Sequence, residues 1–164
     1  MQLRRLVIAS FLLSVSALAC NDDNDDEQFC TFAGCDNGGA ITVSTVGDAL
    51  LPDATMEINL EFDDEAWLIT CRPGEDACDR DGPSETPLRL IVWRGTTGVT
   101  IEFSPDERSD LPDGYALRVD VDAERVLDEA GVFEYETFAP NGPDCGTICD
   151  SAPGLVFELP APSE

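Results

Sequence analysis

Two side chains on which many enzymes depend are absent from this sequence of 164 residues: it contains no histidine and no lysine. Serine and cysteine nucleophiles are normally activated by a histidine or lysine base, and Schiff-base chemistry needs a lysine amine. Most catalytic zinc sites also use histidine. The composition therefore argues against all of these reaction classes and leaves carboxylate-pair chemistry open. With 34 acidic residues, however, the presence of two carboxylates identifies no catalytic pair by itself.

Positive charge is scarce. Nine basic residues stand against 34 acidic ones, which gives a formal net charge of −25. Loss of Arg4 and Arg5 with an N-terminal signal would make it −27, since 7 − 34 = −27. Nucleic-acid affinity rests on lysine and arginine displacing counterions from phosphates. We therefore expect no nucleic-acid partner, and we interpret the acidity as a solvated surface that favours solubility.

No apolar run is long enough to cross a membrane, which takes about 20 residues. The longest run, residues 6–15, follows Arg4 and Arg5 and precedes the small-residue junction Ala17-Leu18-Ala19. A positive start, a short apolar stretch and an A-x-A junction are typical of a secretory signal peptide. The sequence predicts such a signal peptide over residues 1–19.

The residue after this junction is Cys20, and Ala17-Leu18-Ala19-Cys20 resembles the lipobox of bacterial lipoproteins, whose cysteine is lipidated. Lipidation of Cys20 would also explain an odd number of cysteines, seven, in an exported chain. Residues 20–29 are rich in Asp and Glu and predict an extended acidic tether. The resemblance implies anchoring to the bacterial envelope, at the outer membrane or cell surface. The alternative is ordinary cleavage that releases a soluble secreted protein.

Six cysteines remain after Cys20, and export places them in an oxidising compartment. Their spacings are C-x4-C, C-x6-C and C-x3-C, none of which is a C-x-x-C redox or zinc motif. Each close pair brackets a turn between predicted strands. We therefore predict three local disulfides, Cys30–Cys35, Cys71–Cys78 and Cys145–Cys149, that pin loops.

Most of the chain after residue 40 alternates apolar and polar side chains with a period of two, which predicts half-buried β-strands. In residues 56–62, for example, four apolar side chains alternate with Glu57, Asn59 and Glu61. One segment, residues 123–130, instead suggests a short helix. We predict an all-β domain over residues 30–164, an antiparallel β-sandwich, with a partly closed barrel as the alternative. The predicted strands are 41–46, 56–62, 66–71, 88–93, 99–103, 115–121, 133–137 and 155–159.

A Pro/Gly turn, Leu111-Pro112-Asp113-Gly114-Tyr115, leads into one of these strands. It resembles the turn into a late strand of immunoglobulin-like or transthyretin-like sandwich modules. Residues 140–149 resemble a segment of uncharacterised bacterial lipoproteins of this size. The two resemblances imply an exported lipoprotein with an immunoglobulin-like sandwich, and they imply no specific function.

Two sets of residues are candidate binding groups. Asp79-x-Asp81-Gly82, together with Asp76, resembles part of a calcium loop, but the first and twelfth ligand positions of an EF-hand would fall on Ala77 and Leu88. We therefore predict no metal site and no cofactor. Trp67 and Trp93 each lie in an apolar strand, so we predict that both pack in the core. The alternative is a sugar-binding surface.

These observations predict a membrane-anchored binding or structural module and not an enzyme. Its expected partners are the membrane, through the N-terminal lipid, and an envelope or extracellular protein or polysaccharide. The alternative function is a small carboxylate-dependent polysaccharide hydrolase. A deep cleft lined by two inward carboxylates would favour the enzyme, whereas a filled core with shallow surface pockets would favour the module.

Overall fold

The computed structural model describes residues 37–48, 53–142 and 146–160. Signal peptide, tether, Cys20, Cys30, Cys35 and Cys145 all lie outside these ranges. Within them the chain forms strands joined by turns and two short 3-10 segments, Val46–Asp48 and Arg108–Asp110. The strands are β1 (Gly39–Thr45), β2 (Met56–Phe62), β3 (Glu65–Cys71), β4 (Asp79–Asp81), β5 (Leu88–Arg94), β6 (Gly98–Pro105), β7 (Gly114–Val121), β8 (Glu124–Val132), β9 (Glu136–Phe138), β10 (Cys149–Ser151) and β11 (Leu155–Leu159).

Two sheets make up the body of the fold. One has five strands in the order β4-β3-β2-β7-β8, and the other has four strands in the order β11-β1-β6-β5. A two-stranded ribbon of β9 and β10 stands beside them. All pairings between these strands are antiparallel except that of β1 with β11, which is parallel. The first and last strands of the described chain are therefore neighbours in one sheet.

The two sheets pack face to face because each presents one apolar side. In β2 the side chains of Met56, Ile58 and Leu60 are buried. Across the interface the Phe62 ring lies with its centroid 4.9 Å from that of Phe103 on β6. The predicted all-β sandwich is confirmed, and in the described residues the sheets do not close into a barrel. The resemblance to immunoglobulin-like or transthyretin-like modules goes beyond this architecture and stays a prediction.

Residues 123–130 are not helical, so that prediction is wrong. They belong to β8, which pairs with β7 from Val121↔Glu124 to Gly114↔Val132. The two residues between the strands, Asp122 and Ala123, have φ values of 48° and 67°. Positive φ at both central positions is the geometry of a tight type I′ hairpin turn, and this turn matches the twist of the strands it joins. Pairing with β7 overrides the weak local preference for a helix.

The strand predicted over residues 133–137 is displaced. Only Glu136–Phe138 forms a strand, β9. Phe133 is buried, and its ring lies 4.9 Å from that of Phe103, centroid to centroid. The Tyr135 hydroxyl donates a hydrogen bond to the Pro112 carbonyl oxygen over 2.8 Å. The side chains of Phe133 and Tyr135 thus pack against the core, although the backbone that carries them is not a strand.

Cys71 and Cys78 form a disulfide, as predicted for this pair, with their Cα atoms 4.3 Å apart. Cys149 is also disulfide-bonded. Because Cys71 and Cys78 pair with each other, the partner of Cys149 lies outside the described residues, and the Cys145–Cys149 pairing stays a prediction. In the described ranges, no helix is both long enough and apolar enough to cross a membrane.

Candidate functional site

Trp93 lies on the outward face of the four-stranded sheet. On β5 the side chains of Leu88 and Leu90 turn into the core, and those of Arg89, Ile91 and Trp93 alternate to the other side. Trp93 is 57% exposed, and in the described part of the chain its indole makes no hydrogen bond and no ring contact. The prediction that Trp93 packs in the core is therefore wrong.

The other tryptophan behaves as predicted. Trp67 on β3 is only 4% exposed and packs edge-to-face on Phe62, with ring centroids 5.4 Å apart. Gly82 lies directly against the indole, because a Cβ atom added there would come within 2.2 Å of Trp67 Cδ1. Only a residue without a side chain fits at this position.

Trp93 begins a row of side chains that crosses the whole four-stranded sheet. Strand register places Trp93 opposite Thr100, Thr100 opposite Thr42, and Thr42 opposite Val156. The Oγ1 atoms of Thr42 and Thr100 are 3.1 Å apart and share a hydrogen bond. Val156 at the far end of the row is 66% exposed. We call these four side chains the Trp93 row.

The outward face of the five-stranded sheet has a different character, because it carries several ion pairs. Arg118 pairs with Glu61 at 3.2 Å and with Asp128 at 3.5 Å. Arg125 pairs with Asp120 at 2.6 Å. Both arginines of this face therefore already have carboxylate partners. The Trp93 row has no charged member, which distinguishes the two outward faces of the sandwich.

A cleft of about 490 Å³ opens at the edge of the sandwich, where β4 of one sheet comes near β5 of the other. Trp67 and Gly82 belong to its lining, together with Arg89 on β5 and the carboxylates of Asp81 and Asp106. Arg89 stands on the same side of β5 as Trp93, four residues earlier. The cleft and the Trp93 row are therefore successive parts of one surface.

Arginine side chains join the two sheet edges beside this cleft. Arg80 on β4 donates a hydrogen bond to the carbonyl oxygen of Leu90 on β5. Arg94 on β5 donates one to the carbonyl oxygen of Arg72, over 2.6 Å. These bonds occupy carbonyl groups at the edge of the sandwich, where free backbone groups would invite pairing with another strand.

Two carboxylates of the acidic loop that resembles a calcium site are paired with an arginine. Arg72 hydrogen-bonds Asp79 and lies 3.7 Å from the Glu75 carboxylate. The bond to Asp79, together with the nearby charges, raises the pKa of the Arg72 guanidinium above its ordinary value. Among the described residues, no group of three or more Cys, Asp or Glu side chains is placed to hold a metal ion.

Asp81 and Asp106 are the carboxylates that chemistry in the cleft would have to use. Both side chains are exposed. The catalytic acid of a glycosidase is instead held in an apolar surrounding that keeps it protonated. The arrangement suits hydrogen bonding to a ligand better than it suits proton transfer.

Sequence reasoning could have found the exposed position of Trp93. In the period-two pattern of β5, Trp93 shares its parity with Arg89, a residue that is seldom buried without a partner. Leu88, Leu90 and Val92 have the opposite parity and reach the core. Apolar residues on both sides of this run, however, favour a strand buried on both faces and so obscure the signal from Arg89.

Comparison of the chain with protein-family models, with curated proteins and with solved structures finds no match.

Proposed function

We propose that this protein is an envelope lipoprotein, anchored through Cys20, whose sandwich domain binds a partner outside the cell membrane. The observation that carries the binding function is the exposed Trp93 indole on an uncharged row of the four-stranded sheet. Large aromatic side chains are enriched in recognition surfaces because they bring much contact area for little conformational entropy. The sequence features around Cys20 support the anchor.

Packing of the core supports a binding module over an enzyme. Side chains from both sheets fill the space between them, and Ile41, Ile58 and Ile101 are fully buried. The clefts lie at the surface, at the edge of the sandwich. A carboxylate-dependent polysaccharide hydrolase remains the second candidate because Asp81 and Asp106 line the same cleft.

The anchor is tested by changing Cys20 to Ser and fractionating the cells. Wild-type protein should partition into detergent with the membranes and carry a lipid mass on its N-terminal peptide. The C20S variant should appear in the aqueous fraction without that mass. A wild-type protein that is aqueous and free of lipid would refute the anchor and favour a soluble secreted protein.

Binding and hydrolysis are separated by two variants of the mature domain. W93A should lose retention of the partner, whereas D81N/D106N, which keeps the Trp93 row and leaves amides that still hydrogen-bond in the cleft, should retain most of it. Release of reducing sugar from polysaccharide by the wild type, abolished in D81N/D106N, would instead identify the hydrolase. V132A, which removes an exposed apolar side chain from the other sheet, away from both clefts, is the matched control.

A further inference from the structure

We infer that the Trp93 row is a platform for a neutral polysaccharide chain. This inference rests on the proposed binding function and assigns it a ligand class. Four features of the surface support it: the exposed indole, the hydroxyl pair beside it, the low charge of the face and the polar cleft into which the face continues.

The indole supplies the apolar part of such a site. A pyranose ring has a face of C–H groups, and the flat π-system of tryptophan, negative on its face, matches those slightly positive C–H groups. Trp93 is on the edge strand β5, and no side chain of the described residues stacks on its ring. A flat sugar face can therefore reach it without any movement of the protein.

The hydroxyl pair supplies hydrogen bonds of the kind that sugars exchange. Two hydroxyl groups offer two donors and four acceptor lone pairs in total. The mutual bond between Thr42 and Thr100 uses one donor and one acceptor, which leaves one donor and three acceptor positions. Thr100 is directly opposite Trp93 in the register, so stacking and hydrogen bonding would act on the same or neighbouring sugar units.

Charge on the face decides against an acidic polysaccharide. The charged outward side chains of the four-stranded sheet are Arg89, Glu102 and Glu158, which sum to −1 because 1 − 2 = −1. The whole chain carries −25, and repulsion of this size slows the approach of anionic polymers at moderate salt. A neutral chain meets no such barrier, and Glu102 can accept hydrogen bonds from its hydroxyls.

The pattern of apolar side chains decides against a protein partner. A stable protein interface buries about 800 Å² on each side around a contiguous apolar core. Here Trp93 and Val156 are at opposite edges of the sheet, about 14 Å apart across three strand spacings, and threonines stand between them. The face is a line of separate contacts and not an apolar patch.

The surface also has the shape for an extended ligand. Along β5, Arg89 is about 13 Å from Trp93, because a strand rises about 3.3 Å per residue. Arg89 reaches the edge cleft and forms no ion pair with any described residue, so its guanidinium is available to sugar oxygens. A short oligosaccharide that stacks on the indole, at the β5 end of the Trp93 row, could continue along β5 past Ile91 to the cleft.

The test is retardation of the mature domain in native gels that contain hydroxyethyl cellulose, soluble starch or dextran, with alginate as the anionic comparison. We expect retardation by at least one neutral polymer and not by alginate. W93A should weaken it about tenfold or more, as expected for a tryptophan that makes the main apolar contact with the ligand. T100V, which keeps the shape and removes the hydroxyl, should weaken it less, and V132A should leave it unchanged. Circular dichroism confirms that each variant is folded.

Three results would overturn the inference. The first is no retardation by any neutral polymer, together with capture of an envelope protein that W93A abolishes; the proposed binding function would then stand with a protein partner. The second is equal retardation by alginate, which would refute the preference for a neutral chain. The third is a W93A variant that keeps wild-type retardation in every gel and wild-type capture of envelope proteins. Both the polysaccharide platform and the binding function assigned to Trp93 would then be wrong.

Discussion

Arg108 donates a hydrogen bond from Nε to the carboxylate of Asp150 and so ties the turn before β7 to strand β10. Asp150 is only 7% exposed and also accepts a bond from Thr137 Oγ1 over 2.5 Å. Its backbone N–H donates to Asn37 Oδ1 over 2.8 Å, next to the start of β1. Through its carboxylate and its backbone N–H together, this one buried residue therefore joins segments from the beginning, middle and end of the described chain.

Lowering the pH should weaken the contacts that the Asp150 carboxylate makes with Arg108 and Thr137. The hydrogen bond from Arg108 and then that from Thr137 lower the pKa of Asp150, against an opposing effect of burial. A carboxylate with a lowered folded-state pKa stabilises the fold fully above its unfolded value of about 3.9, and the stabilisation is lost as the pH falls through the folded value. Thermal unfolding should show D150N to be clearly less stable than wild type at pH 7, with a difference that shrinks below about pH 4.

D128N is the matched control for this experiment. Asp128 is also paired with arginine, but its side chain is 59% exposed. Exposed ion pairs contribute little, about 0–1 kcal/mol, so D128N should unfold close to wild type at every pH. A D150N variant whose deficit is the same at pH 3 and pH 7 would show that Asp150 acts through packing and not through its charge.

Gly82 should tolerate no side chain. The Cβ of alanine would come within 2.7 Å of Trp67 Nε1, and closer still to Cδ1, on an indole that the core holds in place. Forcing an extra methyl group into packed surroundings costs about 1–3 kcal/mol. Urea unfolding of G82A should show a loss of this size, whereas G154A, whose Cβ meets nothing within 4 Å, should be nearly neutral.

Local alternation was sufficient to predict most of the strands and the sandwich, because one-sided burial imposes a period of two on each strand. It could not predict the parallel pairing of β1 with β11, since partners so far apart in sequence leave no local trace. The wrong helix over residues 123–130 has the same origin. Its backbone conformation is decided by pairing with β7 and not by its own residues.

The candidate surface was only partly predictable. Alternation identified which side chains of β5 share a face, but not which face is covered by the second sheet when apolar residues occur on both. The edge cleft depends on how close β4 and β5 come, and this is set by packing between the two sheets. Its arginine contacts could therefore not be read from the sequence.

The Cys71–Cys78 disulfide should hold β4 in place. All three side chains of β4 are exposed, so apolar burial contributes little to keeping this strand on β3. Closing a loop of eight residues stabilises the fold by about 2.5 kcal/mol in the chain-entropy account. The variant C71A/C78A should lose about this much, and hydrogen exchange should accelerate at residues 79–81 before it does in β2.

Two other findings would contradict this account of the disulfide. Exchange in β2 that accelerates as much as in β4 would show that the bond supports the whole core. Unchanged exchange at residues 79–81 would show that the bonds from Arg80 to Leu90 and from Arg72 to Asp79 suffice to hold the edge. Native-state exchange resolves the strands separately, which a single unfolding curve does not.

Replacing alanine by glycine should have opposite effects on the stability of the fold at Ala123 and at Ala66. Ala123 has a φ of 67°, where a side chain costs about 1–2 kcal/mol and glycine costs nothing. Ala66 is exposed in β3, where glycine weakens a strand by about 0.5–1 kcal/mol. Glycine also makes the unfolded chain more flexible at both sites, which offsets part of the gain at residue 123 by about 0.4–1 kcal/mol. Urea unfolding should therefore show A123G to be more stable than wild type by about 0.5–1 kcal/mol and A66G to be less stable. If both variants were destabilised by a similar amount, the positive φ at Ala123, and with it the type I′ turn between β7 and β8, would be wrong.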